Sequence, residues 1–187
     1  STSVTLGLGM KESYSGFGGM RFSMDGQNWS DWLDCNSTYA FTLPMGDGPK
    51  TVFFQARDGV GNVADPVNDT IVLDMTGPLV KRIDTENGKW LVNCTGIGLV
   101  VTAEDLHSGV AAVRLSSDGE KWTDWLAYGG VLPWNLAGMD GDKRVFVQAI
   151  DVAGNIGDPL EFKLKNLVPD EKIPGTLNVG LMIPTML

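Results

Sequence analysis

Apolar residues alternate with polar or small ones along much of the chain. Val4, Leu6, Leu8 and Met10 are separated by Thr5, Gly7 and Gly9, and Ile97, Leu99, Val101 and Ala103 keep the same period of two. That period puts successive side chains on opposite faces of a pleated strand, and no window shows the 3.6-residue period of an amphipathic helix. Val52, Phe54 and Ala56 alternate with Phe53 and Gln55, and Val145, Val147 and Ala149 do the same around Phe146 and Gln148. This strand is expected at the core, with Phe53 and Phe146 facing outward. Asp25-Gly26 and Asp118-Gly119 are turn pairs that tolerate positive φ, so each is expected to close a hairpin whose second strand starts at Trp29 or Trp122. Asp47-Gly48 and Asp140-Gly141 turn into the long strand, and Asp58-x-x-Gly61-Asn62 and Asp151-x-x-Gly154-Asn155 form the loop after it.

These correspondences obey one rule. Residues 1–66 align with residues 94–159 at a constant offset of 93, without gaps, and 25 of the 66 pairs are identical. The longest blocks run from Met20 to Leu33 against Val113 to Leu126, and from Lys50 to Asp58 against Lys143 to Asp151. A repeat of this length, built of short strands and tight turns, predicts an all-β chain of two tandem sandwiches with about seven strands each. The first is expected over residues 1–77, the second over 78–169, and residues 170–187 form an apolar, extended β tail.

Composition narrows what such a chain can do. The 187 residues include 24 glycines and 9 prolines, as frequent turns require, and 43% are hydrophobic, too many for a disordered chain. No uninterrupted apolar run reaches the roughly 18 residues of a membrane-spanning helix. Fourteen basic residues against 23 acidic ones give a net charge of −9, which repels a nucleic-acid backbone. One histidine and two cysteines exclude a His-rich metal centre, a zinc ribbon and a disulfide-dense scaffold. Catalysis lacks parts: His107 aligns with Tyr14, so any triad would exist in one copy only, and Gly7-Leu8-Gly9 lacks the third glycine and following helix of a phosphate cradle. Asp31 and Asp124 recur at the hairpins, where solvation explains them. The chain is therefore read as no enzyme. Cys35 and Cys94 align with Tyr128 and Ser1, no bond between them is expected, and both are read as buried free thiols. Glycosylation sequons stand at Asn28, Asn36, Asn68 and Asn93, four where about one is expected by chance, which points to a secreted glycoprotein.

Four stretches also carry a resemblance. Met20-Arg-Phe-Ser-x-Asp-Gly-x-x-Trp29-Ser-x-Trp32, Gly46-Asp-Gly-x-Lys-Thr-Val52, Gln55-x-Arg-Asp58-x-x-Gly-Asn62 and Asp69-Thr-Ile-Val-Leu-Asp74-Met-Thr-Gly-Pro78 resemble the immunoglobulin-like or fibronectin type III-like repeats of large prokaryotic, particularly archaeal, cell-surface proteins. The resemblance covers both repeats. It implies extracellular tandem modules that act as stalks, adhesive surfaces or subunits of a surface layer or filament, with no catalytic residues to carry over. Partners would be other copies of the chain, neighbouring surface-protein domains, or a glycan or protein receptor. Two features depart from it: Leu164-Lys-Asn-Leu-Val-Pro169 replaces the usual Asp-Thr-x-x-Pro linker, and the tail is unusually apolar.

Calcium is the sharpest chemical candidate, because a hard cation takes several oxygen ligands from converging loops. In modules threaded end to end, Asp74, Glu104, Asp105, Asp151 and Asn155 are expected to meet between the repeats. The alternative is that Asp151 and Asn155 form an Asx-type turn and Asp74 caps a strand end. Glu12, Asp58 and Asn62 are the matching set in the first repeat, without a linker aspartate. Trp29 and Trp32 are expected on opposite strand faces; an outer aromatic row with Phe53 would suit a sugar or a partner, whereas a purely structural role is the alternative. The ends of the chain add a strand problem. Ser1 aligns with the second strand of repeat two, so the first sandwich lacks its first strand and the edge over residues 4–10 is left open. Leu177, Val179, Leu181 and Ile183 alternate with Asn178, Gly180 and Met182, a strand without a sheet. Either this tail is donated to the next copy in a head-to-tail filament, or it begins a third module or an anchor and the missing strand lies upstream of Ser1.

Overall fold

The computed structural model describes residues 2–11, 14–136 and 141–166, and every regular element among them is a strand. The first half holds β1 (Ser3–Gly7), β2 (Phe17–Ser23), β3 (Thr38–Thr42), β4 (Gly48–Asp58) and β5 (Val67–Leu73). The second holds β6 (Leu79–Thr85), β7 (Leu91–Val92), β8 (Gly96–Glu104), β9 (Val110–Ser116), β10 (Leu126–Ala127), β11 (Val131–Asn135), β12 (Gly141–Asp151) and β13 (Leu160–Asn166). In the first half the antiparallel pair β1-β3 packs on the sheet β2-β4-β5; in the second, β11-β8-β6 packs on β10-β9-β12-β13-β7. The chain is all-β, with two sheets per half around one apolar cluster each. Among the described residues no helix is long and apolar enough to cross a membrane.

The sequence offset survives in three dimensions. β2, β3, β4 and β5 reappear 93 residues on, end for end, as β9, β11, β12 and β13, and the pair Ser3↔Thr42 becomes Gly96↔Asn135. Equal alternation in sequence has given equal register, because a slip of one residue would turn each apolar set outward.

Among the described residues the halves differ in strand number, five against eight, where about seven each are expected. β6 lies antiparallel to β8, and after the turn at Glu86–Gly88 the chain crosses to the other sheet, where β7 runs parallel to β13. One segment thus closes both sheets of the second half. Among the described residues the first half has no counterpart, so the outer edges of β1 and β5 stay open. The cores record this. Val145 and Val147 are fully buried and Phe146 is half-buried, as expected from the pattern, whereas in the first half Val52 is buried but Phe54 is only half-buried, like Phe53. Phe54 faces the side from which the cover is missing.

The hairpins are shorter than expected. After each Asp-Gly turn the chain returns through single bridges, Ser23↔Trp29 and Ser116↔Trp122, instead of a continuous strand. Asp25 Oδ1 accepts from the amides of Gln27 (2.8 Å) and Asn28 (2.7 Å), and Asp118 Oδ1 accepts from those of Glu120 and Lys121 (both 2.8 Å). Amides held by a carboxylate are lost to a strand ladder. Leu177, Val179, Leu181, Ile183 and Glu12 lie outside the described residues.

Candidate functional site

Where β5 ends, Asp74 is buried against the loops of the second half. Its Oδ1 accepts from the Thr76 amide (3.2 Å) and its Oδ2 from the Ser108 amide (3.0 Å) in the β8-β9 loop. Asp105 Oδ1 accepts from the amides of Gly109 (2.6 Å), Ser108 (2.8 Å) and His107 (3.2 Å). Burial pushes the Asp105 carboxyl up, but those amides outweigh it and hold the group below the ordinary carboxylate range. Asp151 accepts from the Asn155 amide (2.7 Å) and from Asn155 Nδ2 (2.8 Å), and the same Nδ2 reaches the Asp74 carbonyl oxygen at 3.2 Å.

The result is a cluster in which one oxygen each from Asp74, Asp105 and Asp151 lies within 4.8 Å of the others. Oxygens bound to one calcium at about 2.3–2.6 Å are at most about 5 Å apart, so this all-oxygen set fits a calcium ion. Two expected members stand apart from it. Glu104 points to the solvent side of β8, one position out of phase with buried Ala103, and pairs with Lys81 Nζ at 3.4 Å. Asn155 turns its nitrogen toward the Asp151 carboxylate and the Asp74 backbone carbonyl, so it braces the cluster, and the Asx-type turn proposed as the alternative is present. Asp58 and Asn62 form the same turn in the first half, where the Asn62 side chain and loop amides hold the Asp58 carboxyl down at about 2.

Further bonds fasten the linker. Asp47 accepts from the Met75 amide (2.6 Å) and the Thr76 hydroxyl (2.5 Å), both of which hold its carboxyl low. The linker then lies flat on the β12-β13 loop: a Cβ on Gly157 would fall 1.8 Å from the Pro78 carbonyl oxygen.

The tryptophans take an arrangement that alternation did not foretell. Trp29 and Trp32 stack on the same guanidinium, Arg21, at 4.9 and 4.5 Å, so both lie on one side of the sheet; residues 30–32 are not a strand and need not alternate. Arg114 repeats this with Trp122 and Trp125 at 4.9 and 4.6 Å, and in the first half Arg57 adds a further layer on Trp32 at 4.6 Å. Gln55 and Gln148 each accept two bonds from the central arginine and pass one on to the Ala64 or Gly157 carbonyl. The ring faces a sugar needs are shared with guanidinium groups, which favours the structural role.

The sequons Asn28, Asn36, Asn68 and Asn93 are all exposed. Both cysteines are free, but only Cys35 is sheltered by the core; Cys94 precedes β8 and is exposed, contrary to the expectation of a buried thiol. His107 is exposed in the β8-β9 loop.

The first half also holds an apolar groove of about 330 Å³ between β1 and β5, lined by Val4, Leu6, Val52, Phe54, Val67 and Ile71 among others. Ile71 is 46% exposed there, whereas Leu164, its counterpart 93 residues on, is 3% exposed beneath β6 and β7.

No protein-family model matches the sequence, and no curated protein does. Among solved structures the chain is similar to fibronectin(III)-like modules of Clostridium thermocellum CbhA, at 15% identity over 89% of this chain and 85% of that one, with a TM-score of 0.42. It is also similar to the D00-D0 domain of intimin (13%, 86% and 91%, 0.35). A third likeness is to a tetra-tandem repeat in the extending region of a large adhesion protein (17%, 78% of this chain and 41% of that one, 0.29). At these identities and scores the likenesses carry nothing about ligand or activity, and the fold stands on its own strand pairing.

Proposed function

We propose that the chain is a non-enzymatic structural module of an extracellular cell-surface protein, a segment of a layer, stalk or filament whose repeats are held in fixed relation to one another. The junction carries this reading: Asp47 holds the linker from the first half, Asp74 accepts from Ser108 and Asn155 of the second, and the linker backbone lies against Gly157. The carboxylates of the turns spend their oxygens on their own loop amides, a use that suits rigidity. Exposed sequons accord with export. Two measurements test this. Antibody labelling and protease shaving of intact cells should reach the protein, and small-angle scattering of the monomer should fit one stiff, elongated particle. Retention inside the cell, or two independently tumbling halves, would overturn it. An adhesive module for a glycan or protein receptor is the second class, and selective retention on a glycan array would favour it.

Calcium belongs to the same proposal. Asp74, Asp105 and Asp151 would hold the ion, and the charge it supplies would offset three carboxylates gathered in a chain already at −9.

A further inference from the structure

We propose that the groove between β1 and β5 receives residues 177–183 of a second copy of this chain, added as a strand antiparallel to β1. The proposal rests on the structural-module reading and names the partner of that module.

The second half shows what fills such a groove. β6 runs antiparallel to β8 from Leu79↔Glu104 to Thr85↔Leu99, buries Val80, Ile83 and Thr85, and hands over to β7 beside β13. Shifted by the repeat offset, its partners are positions 6 to 11, which begin at the last two residues of β1 and continue along the chain that follows it, and the end of β5. β1 and β5 keep the register of β8 and β13, and Leu6 and Leu8 alternate as Leu99 and Val101 do, yet Leu6 is half-buried where Leu99 is 0% exposed, and Ile71 shows the same contrast with Leu164. Among the described residues the groove therefore has its floor and both edges but no covering strand. An open edge with an apolar floor is a template for strand addition, in which main-chain bonds supply affinity and alternate side chains fill the pockets.

The occupant must be extended, apolar at alternate positions and free of charge on its inner face. Leu177, Val179, Leu181 and Ile183 have that spacing, and residues 173–187 contain no charged side chain. Topology favours another copy over the same one. Asn166 pairs with Gly141 at the start of β12, whereas Asp151, at the other end of that strand, sits at the junction. The chain thus leaves the second half at the end away from the first, about 33 Å off at 3.3 Å per residue of β12. To fill its own groove it would have to double back along the whole second half; to fill the next copy's it continues in the direction in which the linker leads from β5 into β6. The contact is heterologous, so each copy offers one tail and one groove and the series propagates.

Size-exclusion chromatography with light scattering on the full 187-residue chain reads the outcome. Wild type should rise in mass with concentration beyond a dimer. Ile71→Arg, at an exposed groove position, and the double change Val179→Arg with Leu181→Arg should each give monomers. An equimolar mixture of the two variants should form dimers and nothing larger, because only one good groove and one good tail remain. Circular dichroism verifies that each variant is folded, and hydrogen exchange on wild type, independent of any substitution, should show β1 and β5 amides gaining protection as concentration rises. A wild type that stays monomeric, assembly that survives the tail change, or a folded mixture that stays monomeric overturns the proposal. None of these outcomes touches the structural-module reading, which cell labelling and scattering of the monomer decide separately.

Discussion

Gly157 stands where the first repeat has Ala64, and the linker accounts for the difference. A side chain there would collide with the Pro78 carbonyl, and one on Gly77 would come within 2.5 Å of the Gly157 nitrogen. Gly157→Ala should destabilise the second half by about 1–3 kcal/mol, as overpacking does, while Ala64→Gly should stay within roughly 0.5 kcal/mol. Urea melts of the two variants compare them directly; equal costs would show that the linker does not rest on this loop. The turn carboxylates give a second prediction. The amides of Lys121 and Glu120 and the Ser116 hydroxyl hold Asp118 down at about 2, and bonds from Asn28 and Gln27 hold Asp25 below the ordinary carboxylate range. A folded pKa below the unfolded value of about 3.9 means the stabilisation is complete above pH 4 and is lost as pH falls toward about 2. The melting temperature of wild type should therefore fall more steeply between about pH 5 and 2 than that of Asp118→Asn, whose turn has no such proton to take up.

At the level of strands, the paired repeats make an internal control. Leu99 is 0% exposed beneath β6, and Leu6, at the same place on β1, is half-buried. Leu99→Ala should cost about 2–5 kcal/mol and Leu6→Ala much less in the monomer, the gap measuring what a covering strand contributes. If the two cost the same, β1 is covered by something other than β6-like pairing. The same comparison shows what was legible in sequence. Period two and the 93-residue offset specify β2, β4, β9 and β12 with their inward faces, because those faces depend only on alternation and on a sheet opposite. Phe54 depends on a strand outside its own repeat, and alternation along β4 cannot register its absence. Trp29 and Trp32 were misplaced because Asp25 takes up the amides that would have continued the strand, releasing the chain from a two-residue period. At the junction, Asp74, Asp105 and Asp151 come together because loop order in a sandwich brings them to one end; Glu104 is not separable from Asp105 without the phase of β8.

Across the whole molecule the junction decides whether the repeats behave as one body or two. Two of its three clustered carboxylates are buried, and all three keep loop amides as partners, so the cluster is built with or without a cation, which would act as reinforcement. Extracellular calcium modules bind at about 0.1–1 mM, so at 5 mM and a dissociation constant near 0.5 mM the gain is about 1.4 kcal/mol. The melting temperature should therefore rise in 5 mM calcium and return on chelation, with no rise in sodium chloride of equal ionic strength, which only screens. Asp105→Asn should abolish the gain, and Glu104→Gln should keep it, because Glu104 faces Lys81 and solvent. Scattering profiles recorded alongside should narrow toward a single stiff particle as calcium is added. A melting curve indifferent to calcium would assign the junction's rigidity to its hydrogen bonds alone, and a gain lost in Glu104→Gln would place the ion on the outer side of β8, away from Asp74 and Asp151.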